Sequence, residues 1–297
     1  MKKTTIGGQA LIEGVMMRGP ENIAIAVRKP DGEIIVEKKA VKASRYKRLV
    51  QIPVIRGVIE FFRMMVVGIR ALMFSAEFVD TEEAEKGKES RLDAFLKKLF
   101  RDKLTDAVIY FSVILSVGFT VGLFILLPNF LAGLLHFDRN TASGVFLFNL
   151  FEGLIRVGLF FAYLVLTSFL KDIQRVWQYH GAEHKTINCY ENEEELTVEN
   201  VRRHSTKHPR CGTSFLFIVM IISIFVFAFT GWHNIWINIL LRLSLVPLIA
   251  GVSYEMLKFS GRHAEKKIMK VLIAPGIAFQ HFTTREPDDG QIEVAME

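Results

Sequence analysis

The stretch Trp177-Gln178-Tyr179-His180-Gly181-Ala182-Glu183-His184 carries two imidazoles and a carboxylate three and four residues apart. On a helix that spacing puts all three side chains on one face. Two imidazoles a turn apart can bind one metal ion, and a carboxylate beside them can act on water activated there. The order His-x-x-Glu-His is that of the inverted zinc-peptidase motif, which makes Glu183 the expected general base. Gly181 lies inside the motif and lowers helix propensity by about 1 kcal/mol relative to Ala.

A second cluster follows in His204-Ser205-Thr206-Lys207-His208-Pro209-Arg210-Cys211-Gly212-Thr213. Imidazole and thiolate together favour zinc among the common divalent ions, with iron or another divalent metal as the alternative. His180, His184, His208 and Cys211 can make a closed four-ligand site; three of them with an open position and Glu183 make a hydrolytic one. A peptidase of this motif also takes a third protein ligand, often a downstream Glu. Glu191, Glu193, Glu194 and Glu195 are available, and spacing selects none of them. The competing reading pairs these histidines with carboxylates or lipid headgroups.

The surrounding composition bounds what could position such a site. Hydrophobic residues make up 51% of the 297, a share that soluble domains also approach, so distribution decides the class. Long apolar runs begin after Asp106, while residues 1–50 and 171–213 are polar. The first thirty residues lack the order of a cleavable signal peptide, so insertion through internal spans is expected. Two cysteines, Cys189 and Cys211, are no disulfide framework. The net charge of +6 fits basic flanks of membrane spans better than a nucleic-acid surface, so nucleic acid is not an expected partner.

Four spans are expected: Ala107–Leu127, Val145–Leu170, Ser214–Thr230 and Ile235–Leu257. Between the last two, Gly231-Trp232-His233-Asn234 forms a short turn, with Trp232 and Trp236 at an interface. Lys and Arg number 21 in residues 1–106, 7 in residues 171–213 and 6 from Lys258 onward, against one, Arg139, in residues 128–144. The positive-inside rule then puts both termini and the 171–213 loop in the cytoplasm of a multi-pass plasma-membrane protein.

Four regions result: 1–50, 51–106, 107–257 and 258–297. In the first, Ile23–Arg28 and Glu33–Val41 are β-branched runs joined by Lys29-Pro30-Asp31-Gly32, a hairpin signal. Gly7–Pro20 before it reads either as a tight Gly-rich fold or as an ordinary loop. In Gln51–Val79, Arg56, Arg63, Arg70 and Glu77 are seven apart and form one polar stripe on a helix. Such a helix lies in the membrane interface or along the bundle, or packs in a soluble domain. Residues 80–106 form a charged linker. Val271–Phe282 is apolar, interrupted by Ala274-Pro275-Gly276 and too short to span. The last fifteen residues read as a disordered acidic tail. The expected architecture is thus mainly α: a polytopic helical membrane protein with about four transmembrane helices, interfacial helices and a small N-terminal β-hairpin.

Charges inside spans cost several kcal/mol unless paired or hydrated. Glu152 and Arg156 are four apart in the second span, and Arg242 and Glu255 lie in the fourth. They read equally as a polar path and as a lock between helices. A transporter of four spans without a detectable repeat is a poor candidate. Gly261-Arg262-His263-Ala264-Glu265 reads as a basic flank rather than an extension of the site.

Three stretches together resemble one family: Gly7–Pro20, Tyr179-His180-Gly181-Ala182-Glu183-His184-Lys185 and His208-Pro209-Arg210-Cys211-Gly212-Thr213-Ser214-Phe215 are similar to those of the YqhQ-like bacterial membrane proteins, described as metal-dependent enzymes. The resemblance covers nearly the whole chain. It implies a membrane location, a metal, and His180, Glu183, His184, His208 and Cys211 as site residues, with Gln9, Glu13 and Arg18 approaching the same place. It implies no substrate. The function expected is a metal-dependent, hydrolytic membrane enzyme acting on a lipid, peptide or membrane-embedded protein. The alternative is a non-catalytic membrane scaffold or biogenesis factor with a structural metal site. Expected partners are membrane lipid, another membrane protein or further copies of the chain.

Overall fold

A computed structural model describes residue 4 and residues 6–41, 48–78, 104–138, 140–231, 234–263 and 266–297. The linker expectation for 80–103, Arg139, the tip residues Trp232 and His233, and Ala264 and Glu265 lie outside the described residues. The protein is mainly α with a small antiparallel sheet, and contacts divide it into two compact units, residues 1–79 with 161–297, and residues 80–160.

The larger unit opens with four strands in the order β1 (Gly7–Leu11), β2 (Gly14–Arg18), β3 (Asn22–Arg28) and β4 (Ile34–Ala40). The β3–β4 pair is the expected hairpin, closed by Gly32 at φ 89°. Gly7–Pro20 forms a second hairpin rather than a loop, with Leu11 opposite Gly14. Its two-residue turn puts Glu13 at φ 53°, a region that non-glycine residues rarely adopt. The Glu13 carboxylate is held by Arg175 and by the Tyr179 hydroxyl, which offsets that conformation.

The two-residue period of the strands gives the sheet two apolar faces. Leu11, Met16, Ile25 and Val27 pack on Ala71 of helix α1 (Ile55–Ala76). Val15 and Ala26 pack on Tyr179 and Ala182. Helix α1 meets the long apolar helix α8 (Ile235–Arg262) at two glycines. A Cβ on Gly57 would lie 2.5 Å from the Gly251 carbonyl oxygen, and one on Gly251 would lie 2.5 Å from that of Val54. Small residues that bring backbones together are typical of helix contacts in membranes. The outer face of α1, with Phe62, Met65, Val66, Ile69 and Met73, is exposed apolar surface. Arg56 of the polar stripe pairs with Glu255 of α8.

In the smaller unit, α2 (Leu104–Val121) runs through a π-helical turn at Gly122–Leu126 into α3 (Leu127–Gly133). Pro128 cannot donate a backbone bond to the carbonyl of Phe124, four residues earlier. That carbonyl accepts instead from Arg156 Nε at 2.8 Å, while Arg156 Nη2 donates to Glu152 at 2.7 Å. Glu152 and Arg156, both on α4 (Ala142–Thr167), thus act together to tie that helix to the Phe124 backbone.

Among the described residues, three helices are long and apolar enough to cross a membrane: Ile114–Gly133, Ala142–Thr167 and Trp236–Arg262. The remaining expected span is α7 (Gly212–Ala228), whose 17 residues rise about 25 Å against the roughly 30 Å of a hydrocarbon core. Arg242 of α8 lies over the Phe227 ring of α7, 5.4 Å from its centroid, a cation–π contact that accounts for one buried charge.

Between these apolar helices lie the polar α5 (Lys171–Glu191) and the short α6 (Val198–Arg203). After α8, α9 (Lys267–Thr283) runs unbroken through Ala274-Pro275-Gly276, where an interruption was expected. The tail is not disordered but forms α10 (Asp289–Met296). Asp288 and Gln291 close a capping box, and Ile292, Val294 and Ala295 are buried. Its acidic residues are ion-pair partners rather than repelling charges: Glu293 pairs with Arg28, and Asp289 with Arg202.

Gly251→Ala is expected to destabilise the protein by about 1–3 kcal/mol, because the added methyl overpacks the α1–α8 crossing. Thermal unfolding of the purified protein in detergent checks this. An unchanged midpoint would mean that the helices separate without cost.

Candidate metal centre

Helix α5 buries an unusual run of polar side chains, including Glu183, His184, Lys185, Thr186 and Glu191. Gly181 explains how a helix with a weak residue at its centre is held. A Cβ there would lie 1.9 Å from the Arg285 carbonyl oxygen, so only glycine admits the C-terminal segment against the helix. That segment fixes the first histidine: His180 Nδ1 is 2.7 Å from the Thr283 carbonyl oxygen. His184 Nδ1 is 2.6 Å from the Thr206 carbonyl oxygen. A carbonyl can only accept, so each Nδ1 carries the proton and each Nε2 presents a lone pair, the tautomer a metal-ligating imidazole needs.

Both Nε2 atoms converge on Cys211, the N-cap of α7. Its Sγ lies 3.2 Å from His180 Nε2 and accepts from the Thr213 backbone N–H at 3.4 Å. The ligand atoms of His180, His184 and Cys211 all lie within 4.8 Å of one another. Tetrahedral zinc with bonds of about 2.0–2.3 Å sets its ligands roughly 3.3–3.7 Å apart, so small side-chain shifts would complete the set. The donors present fit a zinc-type ion.

Glu183 stands beside the trio, its Oε2 3.9 Å from His180 Nε2. That oxygen is buried and has no hydrogen-bond partner among the described residues. Burial pushes the carboxyl up to about 7, against the pull of His180 and of a hydrogen bond from the Gly8 amide. Gly8, on β1, is there because any Cβ would lie 2.8 Å from Glu183 Cδ.

His208 stands next to the trio rather than in it. Its ring centroid is 5.7 Å from that of His184, and its Nε2 is turned toward Glu191, 3.6 Å away. Its Nδ1 accepts from the Arg210 amide, and burial pushes its pKa down. The His208 backbone N–H and carbonyl are both bonded to the Gln280 side chain, at 2.9 and 2.8 Å. Among the downstream acids, the structure buries only Glu191 and leaves Glu193, Glu194 and Glu195 exposed. Glu191 anchors Arg210 and Thr4; bonds from His208, Thr4 and Arg210 hold it down to about 2 despite its burial.

The trio forms one wall of a cavity of about 450 Å³. Arg18 reaches this cavity from the N-terminal motif, whereas Gln9 packs at Gly68 of α1 and Glu13 pairs with Arg175. Arg56 and Tyr254 line the far side, which no short-range sequence signal marks. His263 bonds within its own helix, to the Phe259 carbonyl, and does not extend the site. A second gathering, Cys189, Glu194 and His204, is held by a His204–Glu194 contact of 3.3 Å.

Glu191→Gln is expected to lower stability by about 2 kcal/mol or more, because Arg210 loses a buried counter-charge. Glu191 is depressed in the folded state, so its contribution is full above about pH 4.5 and is lost as pH falls toward about 2. Unfolding midpoints between pH 3 and 7 should therefore fall less steeply with acid in the variant. Parallel profiles would remove Glu191 as the anchor.

The family model described as "Protein of unknown function (DUF1385)" matches residues 52–297, which include every residue of the trio and Glu183. The chain is 36% identical to the Bacillus subtilis (strain 168) protein described as "Uncharacterized protein YqhQ", over 98% of this chain and 90% of that one. No solved structure gives a significant match. With the match spanning the membrane helices, the His/Cys loop and the C-terminal clamp alike, the chain belongs to the DUF1385 family.

Proposed function

We propose that the protein is a divalent-metal-dependent membrane enzyme of the hydrolytic class, with zinc as the ion its donors suit best. What supports this reading is one arrangement. Two backbone-anchored histidines turn their free Nε2 atoms toward a cysteine, with a half-used carboxylate beside them. His180, His184 and Cys211 hold the ion in this reading. His208, whose Nε2 is turned toward Glu191, would stay out of the ligand set, so three protein donors would hold the ion and leave it able to act on water.

A bound divalent cation supplies Lewis acidity, which polarises a substrate oxygen and favours ionised water. Glu183 accepts the proton of the attacking water at Oε2 and returns it to the leaving group. The Thr283 and Thr206 carbonyls keep the imidazoles in the required tautomer. The site lies on the cytoplasmic side, where the Lys/Arg distribution puts the 171–213 loop, and its substrate is a lipid, peptide or membrane-embedded protein.

One observation favours a second reading, a scaffold whose site is structural: His180 and His184 tie α5 to the segments at Thr283 and Thr206. Glu183 separates the two. Elemental mass spectrometry of the purified chain is expected to find about one zinc or similar ion per chain, lost in His184→Ala and Cys211→Ser. Glu183→Gln should keep the ion and the unfolding midpoint while cutting turnover by about 10²–10⁴-fold. An ion-free chain after reconstitution overturns the metal. Full turnover in Glu183→Gln overturns the general base.

A further inference from the structure

We propose that the cavity beside the His/Cys trio is a phosphate-binding site, with Arg18, Arg56 and Arg210 as its cationic wall. The inference deepens the hydrolase reading by naming a substrate class, and rests on that reading for the chemistry but not for the binding. Three guanidinium groups from separate parts of the chain line one cavity: β2, the start of α1, and the turn before α7. All three are largely buried, with side-chain exposures of 20%, 25% and 24%.

Each is held from one edge by a carboxylate. Arg18 donates to Glu60 at 2.9 Å, Arg56 Nε to Glu255 at 3.0 Å, and Arg210 to Glu191. A guanidinium has five N–H donors, so one carboxylate fixes the plane without exhausting it. Arg56 uses Nε and Nη2 on Glu255, which leaves both hydrogens of Nη1 for another acceptor. Arg210 Nε is buried with no hydrogen-bond partner among the described residues. Glu255 and Glu191 lie outside the cavity lining, whereas Glu60, the partner of Arg18, lines it together with the three arginines and Glu183. The forks are thereby preorganised, and the N–H groups their carboxylates leave unused on Arg56 and Arg210 are what an incoming anion would meet.

Phosphate is the anion this wall suits, because its several oxygens can be shared among separate guanidinium forks. A volume of about 450 Å³ exceeds one phosphate and leaves room for the group it esterifies. The cavity also meets apolar surface. Met64 of α1 and Val50 of the turn before it line that side. Such a rim admits an amphiphile with its phosphate inside, and it equally admits a soluble phosphate ester.

The test uses the full chain in detergent, as prepared and after chelator treatment. Inorganic phosphate is followed by thermal shift and calorimetry, and phosphatidic acid against phosphatidylcholine by native mass spectrometry. Phosphate is expected to raise the unfolding midpoint. An Arg18→Lys/Arg56→Lys variant keeps the charge, loses the forks, and should bind at least tenfold more weakly with its ligand-free midpoint unchanged. Retention of phosphatidic acid over phosphatidylcholine assigns the phosphate to a lipid headgroup. A response to inorganic phosphate alone assigns it to a soluble ester. Should the double lysine variant unfold early, Arg56→Lys alone replaces it, with the same tenfold criterion. No response in either arm overturns the proposal, as does binding that needs added metal and survives the lysine substitutions. Arginine-dependent binding in a chain that never takes up metal leaves this inference standing and removes the hydrolase.

Discussion

The structure of the larger unit follows from one requirement: a polar helix is buried, and its polar groups must be paired. From Tyr179 to Glu191, α5 hides carboxylates, imidazoles, an ammonium and hydroxyls. Each left unpaired would cost about 1–3 kcal/mol, and more where charged. The partners come from segments far away in the chain. Gly8 gives an amide to Glu183; the Thr206 and Thr283 carbonyls take the imidazole N–H groups; Lys185 donates to the Arg202 carbonyl and pairs with Glu286. The N-terminal sheet, the loop before α7 and the C-terminal segment are thus ordered by the same helix.

Close approach makes this possible. Gly181 admits the Arg285 carbonyl, Gly8 admits Glu183, and Gly57 with Gly251 brings α1 onto α8. Each contact replaces a side chain by a backbone. The sheet is wedged between α1 and α5 with both faces covered. Arg18 on β2 and Arg56 on α1 thereby reach the cavity that α5 lines. Packing that stabilises the unit is also what assembles the charged wall.

What could be read along the chain was periodic or local. The His180, Glu183 and His184 spacing, the Ile23–Val41 hairpin, the mainly α class and apolar helices long enough to span are all of that kind. Contacts between distant segments were not legible. The Gly7–Pro20 hairpin turns at Glu13 without a glycine, and its compensation comes from Arg175, 162 residues on. The tail reads as acidic and disordered until Arg28 and Arg202 supply its counter-charges. Equally, Glu152 and Arg156 read as either a polar path or a lock until Arg156 is seen to donate to the Phe124 carbonyl, 32 residues away. His208 shares the loop with the trio, yet its Nδ1 accepts from the Arg210 amide and its Nε2 is turned toward Glu191, an orientation that spacing does not carry.

Where pairing fails is as informative as where it succeeds. A fold that meets the needs of buried polar groups nearly everywhere can leave a few unmet only if packing elsewhere holds them in place. Among the described residues, Glu183 Oε2 and Arg210 Nε are two such atoms, and both residues line the cavity that the trio also faces. A carboxylate oxygen among cationic and imidazole side chains would relax into a hydrogen bond if the site were mere filler. The Gly8 amide fixes the carboxylate from one side, and His180 Nε2 is turned to the Cys211 thiol on the other. That nitrogen lies 3.2 Å from the thiol, whereas Glu183 Oε2, 3.9 Å from His180 Nε2, is left without a hydrogen-bond partner among the described residues. Burial has pushed that same carboxyl up to about 7, so the unmet oxygen belongs to a group that exchanges its proton near neutral pH.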